Sequence, residues 1–120
     1  MADYPQHYTG KFVSLEELMS FDWDQCPQPT PYPVTKAIRR SATEFVLDIE
    51  GFIESSGTLT LDRQEGAQIV GSYRDRNGRY RGVVRLENIA EREDGELILS
   101  GHWTESNREP WLWAASLTIQ

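Results

Sequence analysis

The sequence predicts a mainly β protein, an antiparallel up-and-down meander of six to eight strands that forms a small barrel or a strongly curled sheet. Three observations lead to this fold class. From residue 43 onward, short segments alternate apolar and polar side chains, which is the period of half-buried strands. The breaks between these segments carry turn residues such as Ser-Ser-Gly, Asn-Gly and Glu-Asp-Gly. A sheet of this length removes its exposed edges by curling or closing.

The alternating pattern defines six strands. In the first segment, 44–54, Phe45, Leu47 and Ile49 alternate with charged residues. The other predicted strands are 57–63, 68–75, 79–88, 96–104 and 111–119. Residues 8–13 are a candidate for one more strand. Because the connections are short, we expect one domain over residues 1–120, with strands that pair in chain order.

Residues 1–42 are predicted to be irregular apart from a short helix. In the segment 14–22, Ser14 and Glu17 form a capping box at the start of a short apolar helical face. Four prolines then follow within 26–34, and they predict an extended arm that packs along the domain as a strap.

Composition excludes several classes of protein. At 120 residues and 38% hydrophobic content the chain is long and apolar enough for one folded core. It has a single cysteine, Cys26, which excludes an internal disulfide, and we see no export signal and no membrane-spanning run. We therefore expect a cytoplasmic protein without membrane association. A net charge of −7 disfavours general binding to nucleic acid.

The segment 71-GSYRDRNGRYRG-82 concentrates positive charge in this acidic chain. Asn77 and Gly78 predict a two-residue type I′ turn, which would place Arg74 opposite Arg81. In that register five arginines share one face, which we name the arginine ribbon: Arg74, Arg76, Arg79, Arg81 and Arg85. Burying five guanidinium groups in a small barrel would be costly, so we expect the arginine ribbon to face solvent.

The arginine ribbon is the leading candidate for a binding site. Arginine suits bidentate contact with carboxylate or phosphate groups. We predict a non-enzymatic binding module that docks an acidic protein partner or another anion, with nucleic acid disfavoured by the charge of the remaining chain. The alternative is a solvated face whose arginines pair with nearby carboxylates, for which the candidates are Asp62, Glu87 and Glu105.

The aromatic residues of the predicted strands lead to a second hypothesis. Inward positions are predicted for Tyr73, Tyr80, Trp103, Trp111 and Trp113. Such residues form the core of most small barrels, but in a barrel open at one mouth they would line a cavity for a small apolar ligand.

The segment 56-SGTLTLDRQEGAQIVGSYRD-75, together with the later tryptophan-containing strands, resembles the first hairpins of avidin- and streptavidin-like barrels. The lipocalin-like folds belong to the same kind of meander barrel. The resemblance implies a similar architecture, a ligand-contacting role for Tyr73 and a position near the ligand for Thr58. Asp75 departs from the pattern, because that family has a small hydroxyl residue there.

Signals for catalysis are few. We find no metal-ligand spacing, phosphate-binding loop or serine-nucleophile motif, so we expect no cofactor and no metal. His102 is predicted to lie on the solvent face, and Cys26 has no basic neighbour that would activate its thiol. An inward-facing Asp75 leaves a third hypothesis, a small-barrel enzyme of the isomerase or cyclase type. We expect the protein not to be an enzyme.

Overall fold

The computed structural model describes residues 4–15, 30–52, 56–106 and 109–120, with Tyr80 described by its backbone only. The described residues form eight strands: β1 (Gln6–Ser14), β2 (Pro31–Ser41), β3 (Glu44–Ile49), β4 (Gly57–Glu65), β5 (Gln68–Asp75), β6 (Tyr80–Glu91), β7 (Glu96–Thr104) and β8 (Trp111–Ile119). Each strand pairs antiparallel with the next, and β8 pairs with β1, so the sheet is a closed barrel. The predicted antiparallel meander is confirmed.

The core of the barrel consists of the apolar half of each alternating strand. In β3, Phe45, Leu47 and Ile49 are all buried, as their alternation with charged residues predicted. In β7, Leu97 and Leu99 continue the same interior surface. Each fully buried side chain of this size contributes about 1.5–3 kcal/mol relative to an exposed one, so the inward face stabilises the closed sheet.

The prediction of an irregular segment over residues 1–42 is wrong for β1 and β2. Both are complete strands, and β1 closes the barrel by pairing with β2 on one side and β8 on the other. The candidate strand at residues 8–13 is confirmed within β1. Its inward residues Tyr8 and Phe12 are buried, which gives this short segment a place in the core.

Strand β2 begins inside the proline-rich segment that was predicted to form a strap. Pro31 and Pro33 are strand residues that pair with β1. The carbonyl of Pro33 accepts a hydrogen bond from the backbone N–H of Glu50, at a distance of 2.9 Å, on the β3 side. Because N–H and C=O of one strand residue point to the same side, the missing proline N–H groups face β3, whose ladder ends at Ile49. The prolines therefore remove no hydrogen bond from the β1–β2 ladder.

The predicted short helix over residues 14–22 is not supported. The residues that the structure describes contain no α-helix, and Ser14, the predicted N-cap, is the last residue of β1. The rest of that segment and Cys26 lie outside the described residues. Within the described part of the chain, no helix is long and apolar enough to cross a membrane.

The meander gives the barrel two distinct ends. The end that we name the hairpin end carries the connections β3–β4, β5–β6 and β7–β8, at residues 50–56, 76–79 and 105–110. The other end, which we name the floor, carries the connections β2–β3, β4–β5 and β6–β7, at residues 42–43, 66–67 and 92–95. The arginine-rich segment is thus placed beside the loop that follows β3 and the loop that precedes Trp111.

Candidate functional site

The β5–β6 hairpin has a three-residue loop, and the predicted two-residue type I′ turn is wrong. The backbone N–H of Asp75 donates to the carbonyl of Arg79 at 3.0 Å, and the N–H of Gly78 donates to the carbonyl of Asp75 at 2.9 Å. Gly78 has φ of +80°, so the glycine of the Asn77-Gly78 pair ends the loop in the left-handed conformation.

A β-bulge in β6 compensates for this longer loop. Near the floor the pairing of β5 with β6 follows the predicted register, but Arg74 lies opposite Tyr80 and not opposite Arg81. The extra residue of β6 is accommodated between Tyr80 and Val83, where Gly82 has φ of +138°. The bulge restores the alternation of inward and outward side chains. The residues of β6 that follow it therefore keep the predicted orientation, although the loop has three residues and not two.

The structure divides the arginine ribbon into two parts. Three of its residues form an exposed triad at and beside the loop: Arg74, Arg76 and Arg79. The other two are half-buried and have carboxylate partners. The Arg81 Nε atom lies 3.1 Å from Oδ2 of Asp75, and Arg85 Nη1 lies 3.7 Å from Oε1 of Glu65. The carboxylates beside Arg81 and Arg85 belong to Asp75 and Glu65, which were not among the predicted partners.

Glu87, one of the predicted partners of the ribbon, is engaged elsewhere. Its carboxylate contacts Nδ1 of His102 and accepts a hydrogen bond of 3.4 Å from Nε2 of Gln68. His102 is half-exposed on the outer face of β7, as its position in the alternation predicted. The same Gln68 accepts a hydrogen bond of 3.2 Å from Arg85, which links this outer network to the ribbon.

Asp75 is a buried carboxylate that fixes the shape of the loop, and its side chain is only 6% exposed. One carboxylate oxygen accepts the backbone N–H groups of Asn77 and Arg79, both at 3.0 Å, and the other accepts Nε of Arg81 at 3.1 Å. Burial alone raises the pKa of Asp75, but these hydrogen bonds outweigh it and hold the pKa below its ordinary value. Both carboxylate oxygens therefore hold the hairpin in place. Asp75, which was considered as a catalytic residue, has a structural role.

The aromatic residues that were predicted to face inward lie in the barrel interior toward the hairpin end. Tyr73, Trp103, Trp111 and Trp113 are all buried, while the side chain of Tyr80 lies outside the described part of the chain. The rings of Trp103 and Trp111 are stacked, with centroids 6.1 Å apart. Direct ring contacts of this kind indicate a filled interior, in which these residues form part of the core.

Two of these tryptophans also bind the backbone of the strand that carries the ribbon. The indole N–H of Trp103 donates to the carbonyl of Arg81, and that of Trp113 donates to the carbonyl of Arg85, both at 3.2 Å. Two side chains of the interior are therefore hydrogen-bonded to the backbone of β6. These bonds could not be predicted from the sequence, because they depend on the registers of β6 with β7 and of β7 with β8.

Phe52 is an interior residue that the sequence analysis did not single out. It lies in the β3–β4 connection, yet it is only 4% exposed. Its ring centroid is 5.0–5.6 Å from those of four aromatic neighbours: Phe12, Tyr32, Tyr73 and Trp103. The signal in the sequence was an aromatic residue within a glycine- and serine-rich turn, a place where polar residues are the rule. Phe52 thus acts as a plug at the hairpin end.

Thr58, which the resemblance placed near a ligand, does not join Tyr73 in the interior. Its hydroxyl donates to Oδ1 of Asp48 at 2.9 Å, and both residues are half-buried at outward positions of their strands. Tyr73 and Thr58 therefore lie on opposite faces of the sheet.

The chain matches no family model, and no curated protein or solved structure matches it significantly. The resemblance to avidin-like and lipocalin-like proteins holds for the architecture, an antiparallel meander that closes as a barrel. In the residues that the structure describes, no three His, Cys, Asp or Glu side chains are grouped so that they could hold a metal ion.

Proposed function

We propose that this protein is a non-enzymatic binding module whose hairpin docks an acidic protein partner. The observation that carries the proposal is the exposed triad Arg74, Arg76 and Arg79 on a loop that Asp75 holds in one shape. A loop that is already ordered loses less conformational freedom on binding than a mobile one. The guanidinium groups also suit bidentate contact with carboxylates better than lysines would.

The distribution of charge favours a compact acidic patch over a long polyanion. The whole chain carries −7, although residues 71–85 contain five arginines and a single acidic residue. A nucleic acid that extended beyond the hairpin would meet the negative charge of the remaining surface. A protein surface with a few carboxylates can contact the triad alone. The negative charge around the triad would repel that partner in other orientations.

The test uses two triple variants with the same change in charge. The hairpin variant is R74S/R76S/R79S, and the control is R40S/R63S/R92S, which removes three exposed arginines near the floor. Each protein is immobilised and exposed to a lysate of the source organism, and retained proteins are identified. We expect the wild type and the control, but not the hairpin variant, to retain an acidic protein, with binding about tenfold weaker when salt shortens the Debye length from about 10 Å to about 5 Å. Equal retention by all three proteins would overturn the proposal.

A second candidate function is the binding of a small, flat apolar ligand inside the barrel, and the position of Phe52 favours it. Unlike the aromatic residues around it, Phe52 is held by a connection between strands. A shift of that connection would vacate a ring-sized space bounded by Phe12, Tyr32, Tyr73 and Trp103.

This candidate is tested by the variant F52A, with L112A as a control that shortens an exposed side chain on β8. We expect F52A, but not L112A, to bind indole or an apolar fluorescent dye, with an affinity that does not depend on salt. If F52A remains folded and binds neither probe, the interior is a packed core and the candidate fails.

A further inference from the structure

A surface pocket lies beside the arginine-rich hairpin, where β6 and β7 approach the hairpin end. Its volume is about 370 Å³, near the lower end of the range of roughly 300–1,000 Å³ that small-molecule sites occupy. The residues that line it are Arg81, Gly82, Val83, Thr104, Glu105 and Ser106. The pocket is therefore of a size that suits a small metabolite.

The bulge in β6 provides the base of this pocket. Gly82 has no side chain, and a Cβ atom there would clash with the indole of Trp103, so the backbone lies directly against the ring. Val83 is half-buried and lies opposite Thr104 in the β6–β7 ladder. Bare backbone next to a valine gives the base a partly apolar surface, on which a short aliphatic group can pack.

Arg81 supplies a positive charge that is held in place from one side. Its Nε atom donates to Oδ2 of Asp75 at 3.1 Å, and its side chain is 33% exposed. In the described part of the chain the guanidinium group makes no other hydrogen bond. The donors of Nη1 and Nη2 therefore remain for a second acceptor, and together they match the two oxygens of one carboxylate.

Glu105 places a negative charge on the same pocket. It is half-buried, and it was one of the predicted partners of the arginine ribbon. Arg81 forms its ion pair with Asp75, however, and no ion pair joins these two described side chains, although both line the pocket. Glu105 interacts with another group of the protein, but a carboxylate can accept about four hydrogen bonds. It thus retains the capacity to accept from a ligand.

We propose that this pocket binds a free α-amino acid as its zwitterion. The ligand carboxylate accepts hydrogen bonds from Nη1 and Nη2 of Arg81, and the ligand ammonium group donates to Glu105. An aliphatic side chain of the ligand lies on Val83, while the hydroxyl groups of Thr104 and Ser106 form a polar rim. None of the residues of the exposed triad lines this pocket, so the site goes beyond the proposed docking function.

The two charges of the pocket disfavour a ligand that carries only one charge. A simple carboxylate is repelled by Glu105, and a simple amine is repelled by Arg81. We therefore expect L-leucine to bind at least about tenfold more tightly than either of two analogues with the same side chain. These analogues are N-acetyl-L-leucine, which lacks the ammonium group, and L-leucinamide, which lacks the carboxylate.

The test is an NMR titration with these three compounds, followed through the Nε–H group of Arg81 and the backbone amide of Val83. The proteins are the wild type, E105Q and the matched control E109Q, which makes the same change at a nearby exposed residue. E109Q should behave as the wild type does. In E105Q, leucine should bind at least about tenfold more weakly, because the ammonium group has lost its acceptor. N-acetyl-L-leucine should then bind at least as tightly as leucine, because the repulsion of its carboxylate is gone.

The triple variant R74S/R76S/R79S separates this site from the docking surface. It should bind leucine as the wild type does, because its three changes lie outside the pocket lining and a zwitterion carries no net charge. Loss of the leucine response in this variant would assign the response to the exposed triad and exclude the pocket.

Three further results would overturn the amino-acid site. One is the absence of a saturable shift with leucine in the wild type up to about 50 mM, where even a weak site for a ligand of this size is occupied. The second is equal affinity of E105Q and E109Q for leucine. The third is equal affinity of the wild type for leucine and its two analogues; if E105Q does not fold, this comparison decides by itself.

Discussion

The hydroxyl of Tyr73 donates a hydrogen bond to the backbone carbonyl of Phe52 at 3.3 Å, inside the barrel. This bond joins β5 to the β3–β4 connection and holds the aromatic plug in place. It is possible because residue 57 is glycine: a Cβ atom at Gly57 would lie 2.2 Å from the Tyr73 oxygen. The Tyr73 side chain therefore passes β4 at Gly57, where no side chain blocks its path to Phe52.

The first prediction concerns the contribution of the plug to stability. Replacing Phe52 with alanine should reduce the free energy of unfolding by about 3–5 kcal/mol, because the ring is buried and its removal leaves a cavity. The replacement L112A should change it by less than about 0.5 kcal/mol, because Leu112 is 48% exposed. Urea unfolding of both variants measures the difference. Similar losses in the two would mean that the Phe52 ring is not packed in the core.

The second prediction concerns Asp75 and the order of the loop. In the variant D75N, the amide nitrogen faces the Arg81 guanidinium, so the ion pair at 3.1 Å is lost and two donors oppose each other. The backbone amides of Asn77 and Arg79 should then exchange with solvent at least about tenfold faster. Hydrogen exchange followed by NMR provides the measurement, with D62N, at an exposed carboxylate, as the control. Unchanged exchange at both amides would contradict the role of Asp75 as the anchor.

Asp75 also gives stability a defined dependence on acidity. Its pKa is lowered in the folded protein from an ordinary value of 3.8, so the unfolded chain takes up the proton first as the pH falls. The stabilisation from this group is present above about pH 4 and is lost as the pH falls through the folded-state value. Between pH 5 and pH 2, the stability of D75N should therefore decrease less than that of the wild type. A steeper decrease in D75N would show that the carboxylate is not favoured in the folded state.

The third prediction concerns the bulge in β6. A Cβ atom at Gly82 would lie 2.6 Å from Nε1 of Trp103 and 2.9 Å from the carbonyl oxygen of Thr104, and φ there is +138°. Gly78 also has positive φ, at +80°, but an added Cβ would meet no atom within 4 Å. We expect G78A to cost about 1 kcal/mol, from backbone strain alone, and G82A to cost about 3 kcal/mol or more, from strain and overpacking together. Denaturant unfolding of the two variants distinguishes them, and equal costs would contradict the close approach at the bulge.

The strands that the sequence predicted best are those bounded by strong turn residues on both sides. Strands β5, β7 and β8 have the predicted bounds, because each is rich in apolar and aromatic residues and has a clear break before and after it. Strand β2 was missed, since its prolines argue against a strand. Only the end of the β3 ladder, a feature of another part of the chain, makes those prolines acceptable.

The register of the hairpin was predicted incorrectly for a reason that involves a side chain. The Asn77-Gly78 pair is compatible with a loop of two or of three residues. Asp75 favours the longer loop, because its carboxylate accepts the backbone N–H groups of both Asn77 and Arg79 there. In this register the side chain next to Gly82 is the indole ring of Trp103.

The burial of Arg39 and of Phe52 could not be predicted from the sequence, because both depend on contacts between distant residues. Arg39 meets Glu91 across 52 positions of the chain, and local alternation cannot show that a charged residue at an inward position has a partner. Phe52 lies in a connection, where the period of a strand gives no direction to its side chain. In both cases the closed barrel, and not the local pattern, determines what is buried.

The last prediction follows from the environment of the Tyr73 phenol. Burial, with a smaller contribution from the negative charge of Asp75, raises its pKa from 10.0 to about 12, although the positive charge of Arg81 acts in the opposite direction. Between these two values the folded protein retains a proton that the unfolded chain releases, so stability falls as the pH rises from 10 to 12. The variant Y73F should be slightly less stable than the wild type at neutral pH, because it lacks the bond to Phe52, but its stability should decline less above pH 10. Urea unfolding across this range is the measurement, and Y4F, at an exposed tyrosine, should decline in parallel with the wild type. A parallel decline of Y73F as well would show that the Tyr73 phenol ionises no later in the folded protein than in the unfolded chain.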